Sequence, residues 1–163
     1  VSDPEESGTT FLENARIKAR AAHELACAAV LADDSGLIVD ALDGAPGVYS
    51  SRYSGVDGDD SANNAKLLRE LSAVPLAKRT ARFASVLVFI DEDGLETVAE
   101  GFVEGHIGLI ERGEHGFGYD PLFFPDVYNG EVTMAELTQS QKNAISHRGN
   151  ALRELRKKLH PSD

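Results

Sequence analysis

The chain has no tryptophan, one methionine (Met134) and one cysteine (Cys27). A single cysteine excludes an internal disulfide, and its place in an alanine-rich stretch reads as a small buried apolar side chain, not a reactive thiol. Long hydrophobic runs are missing too. The most apolar segment, residues 86–90, is far too short to span a bilayer, and the sequence shows no signal-peptide pattern, so a soluble cytoplasmic protein without a membrane partner is expected. Positive charge is scarce: 16 Lys and Arg stand against 27 Asp and Glu, a net charge of -11. That balance argues against a nucleic-acid surface, which needs clustered Lys and Arg and counterion release. Any phosphate ligand must therefore be held locally, by a few basic side chains and a divalent cation that an acidic background favours. An initiator residue is also lacking, since Val1 comes first and Met134 is the only methionine.

What is present is enough apolar material, 42% of 163 residues, for one domain with a real core. Thr10-Phe11-Leu12-Glu13 has the spacing of a capping box, and Leu12, Ala15, Ala19, Ala22 and Ala26 follow at helical intervals. A buried strand is expected over 28–32, and a second apolar stretch over 37–39. Residues 43–58, rich in Gly, Ser, Asp and Tyr, predict a long loop, a candidate lid or subunit interface. A helix over 59–72 would turn Leu67, Leu68 and Leu71 inward. Residues 80–90 and 96–109, joined by Asp91-Glu92-Asp93-Gly94, form a long β-hairpin. Thr133-Met134-Ala135-Glu136 opens a short helix through another capping box, and a last helix over 146–159 places Leu152, Leu155 and Leu159 inward. Interleaved helices and strands around a hairpin predict an α/β domain with a mixed sheet.

The densest chemical signal is Ala32-Asp33-Asp34-Ser35-Gly36, where an apolar stretch runs into adjacent carboxylates and a turn-permissive Ser-Gly. Read as a strand ending at a sheet edge, it presents hard oxygen ligands, and metal-assisted chemistry on a phosphate is the first reading. Helix capping in a turn is the structural alternative. Glu5-Glu6 forms either a solvated acidic loop or part of the same cluster. Phe117, between Gly116 and Gly118 and followed by Tyr119-Asp120, is either a core anchor or a stacking platform for a base. Lys142, His147 and Arg148 lie near a helix start, where positive charge opposes the dipole, a cost that suggests another use. Hydrolysis within a nucleoside triphosphate unites these groups. Carboxylates hold Mg²⁺ and activate water, cations offset phosphate charge, and an exposed ring stacks on a purine.

At these residues the chain resembles the inosine triphosphate pyrophosphatase family. The resemblance runs through residues 5–15, 32–37, 44–53 (Gly-Ala-Pro-Gly-Val-Tyr-Ser-Ser-Arg-Tyr), 116–121 (Gly-Phe-Gly-Tyr-Asp-Pro) and 142–149 (Lys-Asn-Ala-Ile-Ser-His-Arg-Gly), in order and across almost the whole chain. It implies hydrolysis of non-canonical purine nucleoside triphosphates (dITP, ITP, XTP) to the monophosphate and pyrophosphate, with Mg²⁺. The implied fold is an elongated α/β domain, a central mixed sheet flanked by helices with two lobes around a nucleotide cleft, usually as a homodimer. By the same resemblance, Asp34 is the catalytic carboxylate and a Mg²⁺ ligand, and Glu6 is a second metal-site carboxylate. Ser35, Phe117, Gly118, Tyr119, Asp120, Lys142, His147 and Arg148 contact substrate, and Lys18 faces the triphosphate.

Family members begin with a strand and a Thr/Ser-Gly-Asn-x-x-Lys phosphate-binding segment, and neither precedes Val1 in this sequence. Residues 1–163 are therefore expected to be a single pyrophosphatase domain lacking that segment. Either upstream residues belong to the natural protein, or a truncated form has lost activity and stability with an internal strand. Two alternative functions stay open from sequence: a purine-nucleotide-binding protein without turnover, and a pyrophosphatase preferring pyrimidine or modified bases.

Overall fold

The computed structural model describes residues 7–161. Its helices are α1 (Phe11–Ala26), α2 (Asp60–Glu70), α3 (Gln139–Ile145) and α4 (His147–Leu159), and its strands are β1 (Val30–Val39), β2 (Thr80–Ile90), β3 (Glu96–Ile107) and β4 (Phe123–Pro125). The strands form one sheet in the order β1-β2-β3-β4. Ser35 lies beside Ser85 and Asp40 beside Thr80, so β1 and β2 run in opposite directions. A short turn joins β2 to β3, and His106 of β3 opposes Phe124 of β4 in antiparallel register. The α/β class holds, with an antiparallel sheet flanked by helices; no parallel strand of a mixed sheet lies among the described residues.

Strand β1 departs from the sequence expectation. It passes unbroken through Asp33-Asp34-Ser35-Gly36, where a turn was predicted. Gly36 is buried in the strand and does not adopt the left-handed conformation that a turn would use. The two acidic residues therefore stand in mid-strand, not beyond its end.

The chain divides into two compact units, one holding residues to 35, 84–102 and from 147, the other holding 36–83 and 103–146. In the first, α1 lays Ala15, Ala19, Phe11 and Leu12 on Val30, Ala32, Val86, Val88 and Ile90. The alternate residues Leu87 and Phe89, with Ala99, meet Ala151 and Leu155 of α4. Strand alternation thus gives this part of the sheet a helix on each face. The α1 cap is displaced from the predicted box: Thr10 Oγ1 accepts from the Glu13 amide at 3.1 Å, but the Glu13 carboxylate takes the Thr9 amide at 2.7 Å. Ala22 and Ala26 are exposed, because alanine carries too little apolar surface to fix a helix face by itself. Cys27, expected buried, is exposed at the left-handed C-cap of α1, just beyond the helix's buried stripe. In α4, Leu152 and Leu159 are 49% and 38% exposed, and Ala151 and Leu155 are the buried pair. Gly101 explains the rotation. A Cβ there would lie 2.2 Å from the Ala151 nitrogen, so the helix approaches β3 through Ala151 and turns Leu152 and Leu159 aside.

The second unit has the larger core, with Leu37, Val39, Leu67, Leu71, Phe83, Val103, Ile107, Leu122, Phe123 and Met134 all buried. Each such side chain contributes about 1.5–3 kcal/mol of burial. The Phe83 and Phe123 rings meet at 4.6 Å. Arg79, only 4% exposed, donates to the carbonyls of Leu71 (2.8 Å), Val74 (2.9 Å) and Gly108 (2.9 Å). Helix α2 begins after Asp59, whose carboxylate accepts from the Ala62 amide at 3.0 Å. The predicted loop over 43–58 contains a 3-10 turn, Gly47–Arg52. The helix predicted at Thr133 is a single 3-10 turn, Met134–Glu136, with both halves of its capping box formed. Thr138 and Gln141 make a further box that opens α3, a segment the sequence reading passed over. Among the described residues, no helix is long and apolar enough to cross a membrane.

Candidate functional site

Consecutive strand side chains point to opposite faces, and this separates the two carboxylates of β1. Asp34, 7% exposed, lies on the α1 face. Lys18, two turns into α1, donates to Asp34 Oδ1 at 3.2 Å and to the Asp33 carbonyl at 2.9 Å, so one ammonium grips strand and side chain together. Asp33 faces α4 instead. Its Oδ2 lies 3.2 Å from Arg148 Nε and accepts from Ser35 Oγ at 3.1 Å, and Ser35 Oγ reaches Ser85 Oγ on β2 at 3.2 Å. Leu31, Leu87 and Leu152 with Asp33 and Arg148 line an open groove of about 300 Å³ on that face. His147 is the first residue of α4, half-buried beside Arg148 in sequence. The acidic pair is therefore two single carboxylates with different cations, not one bidentate cluster.

The second constellation lies wholly in the other unit and is built on a loop. Gly116 has φ +82 and Gly118 φ +59, left-handed conformations that glycine adopts without strain. A Cβ on Gly116 would fall 2.3 Å from Asp120 Oδ2, so glycine also leaves room for that carboxylate to fold back. Asp120, 5% exposed, accepts from the Phe117 amide at 3.1 Å and from Lys142 Nζ at 2.5 Å. The Lys142 ammonium also sits 4.3 Å from the Phe117 ring centroid, a cation–π contact on a ring that is 62% exposed. Tyr119 points the other way. It is buried, its hydroxyl donates to the Ser50 carbonyl at 2.6 Å, and burial raises its pKa far above the usual tyrosine value. It is an anchor, not an acid.

A sequence model of the Ham1 family matches residues 1–158. The chain belongs to the Ham1 family. It is 53% identical over 161 residues to a dITP/XTP pyrophosphatase of Oceanobacillus iheyensis, covering 98% of this chain and 80% of that protein. The dITP/XTP pyrophosphatase of Bacillus cereus is 50% identical over 161 residues, covering 98% of this chain and 78% of the relative. Among solved structures, the Staphylococcus aureus Ham1 protein superposes with a TM-score of 0.91 at 43% identity, covering 99% of this chain and 82% of that one. A nucleoside-triphosphatase / dITP/XTP pyrophosphatase from Mycobacterium abscessus gives 0.84 at 47% identity, covering 98% of this chain and 81% of that one. The resemblance drawn from motifs is thereby borne out, and the Ham1 fold carries over to this chain.

Within this family chain, the residues singled out from sequence fall into two sets. Lys18, Asp34, Ser35, His147 and Arg148 belong to the first unit, and Phe117, Gly118, Tyr119, Asp120 and Lys142 to the second. Lys142, grouped in the sequence reading with His147 and Arg148 near a helix start, lies in the last turn of α3, where positive charge suits the dipole. Glu6 lies outside the described residues. Among those described, no group of three or more His, Cys, Asp or Glu side chains is placed to hold a metal ion. Sequence reasoning missed Asp60 and Asn64 of α2, which bond to Gly118, and Ser85. A signal for Asn64 existed: Asn63-Asn64 stand in mid-helix, where asparagine is a poor helix former, and both are buried.

Proposed function

We propose that the chain hydrolyses non-canonical purine nucleoside triphosphates, dITP, ITP and XTP, to the nucleoside monophosphate and pyrophosphate, removing them from the nucleotide pool. The observation that carries this reading is the buried Asp34 carboxylate held by Lys18 on the α1 face, in a chain about half identical to proteins named dITP/XTP pyrophosphatases. Asp34 takes the proton of the attacking water, a role worth roughly 10² to 10⁴ in rate. Lys18, on the same face as Asp34, supplies positive charge toward phosphate, and the motif resemblance supports Ser35, His147 and Arg148, on the α4 side of the strand, as further substrate contacts. Phe117 stacks on the purine, and Lys142 donates to a 6-oxo group. An adenine amino group would bring donor against donor there, leaving a buried group unsatisfied.

Asp34 offers the hard oxygen donor that Mg²⁺ prefers, and it lies 3.2 Å from the Lys18 ammonium. Asp34, with Glu6 as a second carboxylate, would hold the ion. When bound, Mg²⁺ neutralises phosphate oxygens and the charge that develops on the leaving group. The motif resemblance further supports one pyrophosphatase domain acting as a cytoplasmic homodimer, and light scattering on the purified protein tests the dimer.

The deciding experiment is pyrophosphate release from dITP, with dATP as control and Mg²⁺ present or withheld, in the wild type and Asp34→Asn. Metal-dependent turnover of dITP, lost in the variant, is expected. Equal cleavage of dATP, or full activity in Asp34→Asn, would overturn the reading.

A further inference from the structure

The loop that carries Phe117 combines an exposed ring with a backbone pinned at consecutive points. Asp120 Oδ2 accepts the Phe117 amide. The next amide, that of Gly118, donates to Asp60 Oδ2 at 2.9 Å, and the Gly118 carbonyl accepts from Asn64 Nδ2 at 3.0 Å. Asp60 and Asn64 are four residues apart and share one face of α2. Between them they hold the peptides on both sides of Gly118, whose φ of +59 sets the angle between those planes. Asn64 is 3% exposed and also donates to Glu111 Oε1 at 3.0 Å, so its amide is locked from both ends of its donor pair. A buried asparagine in mid-helix and a phenylalanine left in solvent are both unfavourable choices for stability alone. They make sense together as a platform whose orientation is fixed before the ligand arrives.

We infer that Asp60 and Asn64 are positioning residues that orient the Phe117–Asp120 loop and so set purine affinity and base discrimination. The inference rests on the proposed function for the identity of the ligand, and on the hydrogen bonds alone for the clamp. Asp60 acts through the Gly118 amide and Asn64 through the Gly118 carbonyl. Loss of either frees the peptide planes, and with them the ring and Asp120, the loop's tie to Lys142 of α3.

The test compares Asp60→Ala, Asp60→Asn and Asn64→Ala with the wild type, measuring kcat and KM for dITP and dATP, thermal melting, and hydrogen exchange at the Gly118 amide. In Asp60→Ala and Asn64→Ala, KM for dITP should rise about tenfold with kcat within about twofold, and preference for dITP over dATP should fall. Asp60→Asn keeps an acceptor oxygen and should recover most of the affinity. Gly118 exchange should accelerate in Asp60→Ala and stay protected in Asp60→Asn. Unchanged KM and preference in a variant whose Gly118 amide has become labile would overturn the inference. So would an equal loss of kcat on both nucleotides with lowered melting and no change in KM, which marks a structural role only. Phe117→Ala separates the two claims: if KM for dITP is unmoved there while Gly118 exchange still responds to Asp60→Ala, the purine reading fails and the clamp stands.

Discussion

Asp34 and Asp120 are both buried carboxylates gripped by a lysine, yet opposite kinds of scaffold hold them. Asp34 stands in mid-strand, where the pleat decides which face it points to and the ladder of backbone bonds fixes its height. Asp120 follows a glycine loop, and its direction depends on side-chain ties from other elements and on two residues with left-handed backbone. The first arrangement tolerates changes around it and fails when the carboxylate itself is altered. The second fails when its neighbours are altered.

Asp34→Asn should break the comparison most sharply on one side: kcat for dITP falls by about 10² to 10⁴ while the melting temperature moves little, because the strand does not need the charge. Gly116→Ala attacks the other side without touching a reacting group. Its Cβ would meet Asp120 Oδ2 at a φ of +82, so kcat/KM should drop by about 10², measured beside thermal melting that shifts only modestly for an exposed loop. Tyr119→Phe removes the loop's buried bond to the Ser50 carbonyl, with about 1–3 kcal/mol of stability lost in denaturant titration at neutral pH. Its pH signature follows from the raised pKa. The folded state holds the phenol protonated, so this contribution is intact below the ordinary tyrosine pKa of about 10 and is lost as pH climbs above it. The variant should therefore show a flatter alkaline decline than the wild type.

Smaller effects sharpen the contrast. Asp33→Asn, next to the catalytic candidate but on the opposite face, removes a half-exposed ion pair to Arg148 and should cost about 0–1 kcal/mol of stability with kcat far less reduced than in Asp34→Asn. At the acid end, the Thr133 amide and then Arg112 hold the Glu136 carboxyl below the usual glutamate range. That contribution is present above about pH 4.3 and lost as pH falls through the lowered value, so acid unfolding of Glu136→Gln should be less steep than that of the wild type.

How much of this was legible in the sequence follows the same division. The β2–β3 hairpin and helix α2 were found nearly to the residue, because β-branched runs, an Asp-Gly turn and an Asp cap act locally. The motif residues of both constellations were found as well, since their types declare their chemistry. The direction of Asp33 and Asp34 was not. A strand that continues through Asp-Asp-Ser-Gly contradicts local propensity, and ties from distant parts of the chain, β2 beside it and Lys18 on the Asp33 carbonyl, accompany its extended form. The rotation of α4 was hidden for a related reason: it is set by Gly101, fifty residues earlier than Ala151 in the chain. Asp60 looks like an ordinary first-turn acidic residue until the partner loop is in place, and the mid-helix Asn64 hinted at a partner without naming it.

Arg79 imposes an order on the making of the protein. Its guanidinium closes the chain between Leu71 and Val74, but the same group also needs the carbonyl of Gly108. On the ribosome, the junction after α2 waits for the end of β3, and until residue 108 emerges a cation destined for the interior has no complete set of acceptors. The last of the three acceptors of Arg79 thus exists only after both long central strands have been synthesised.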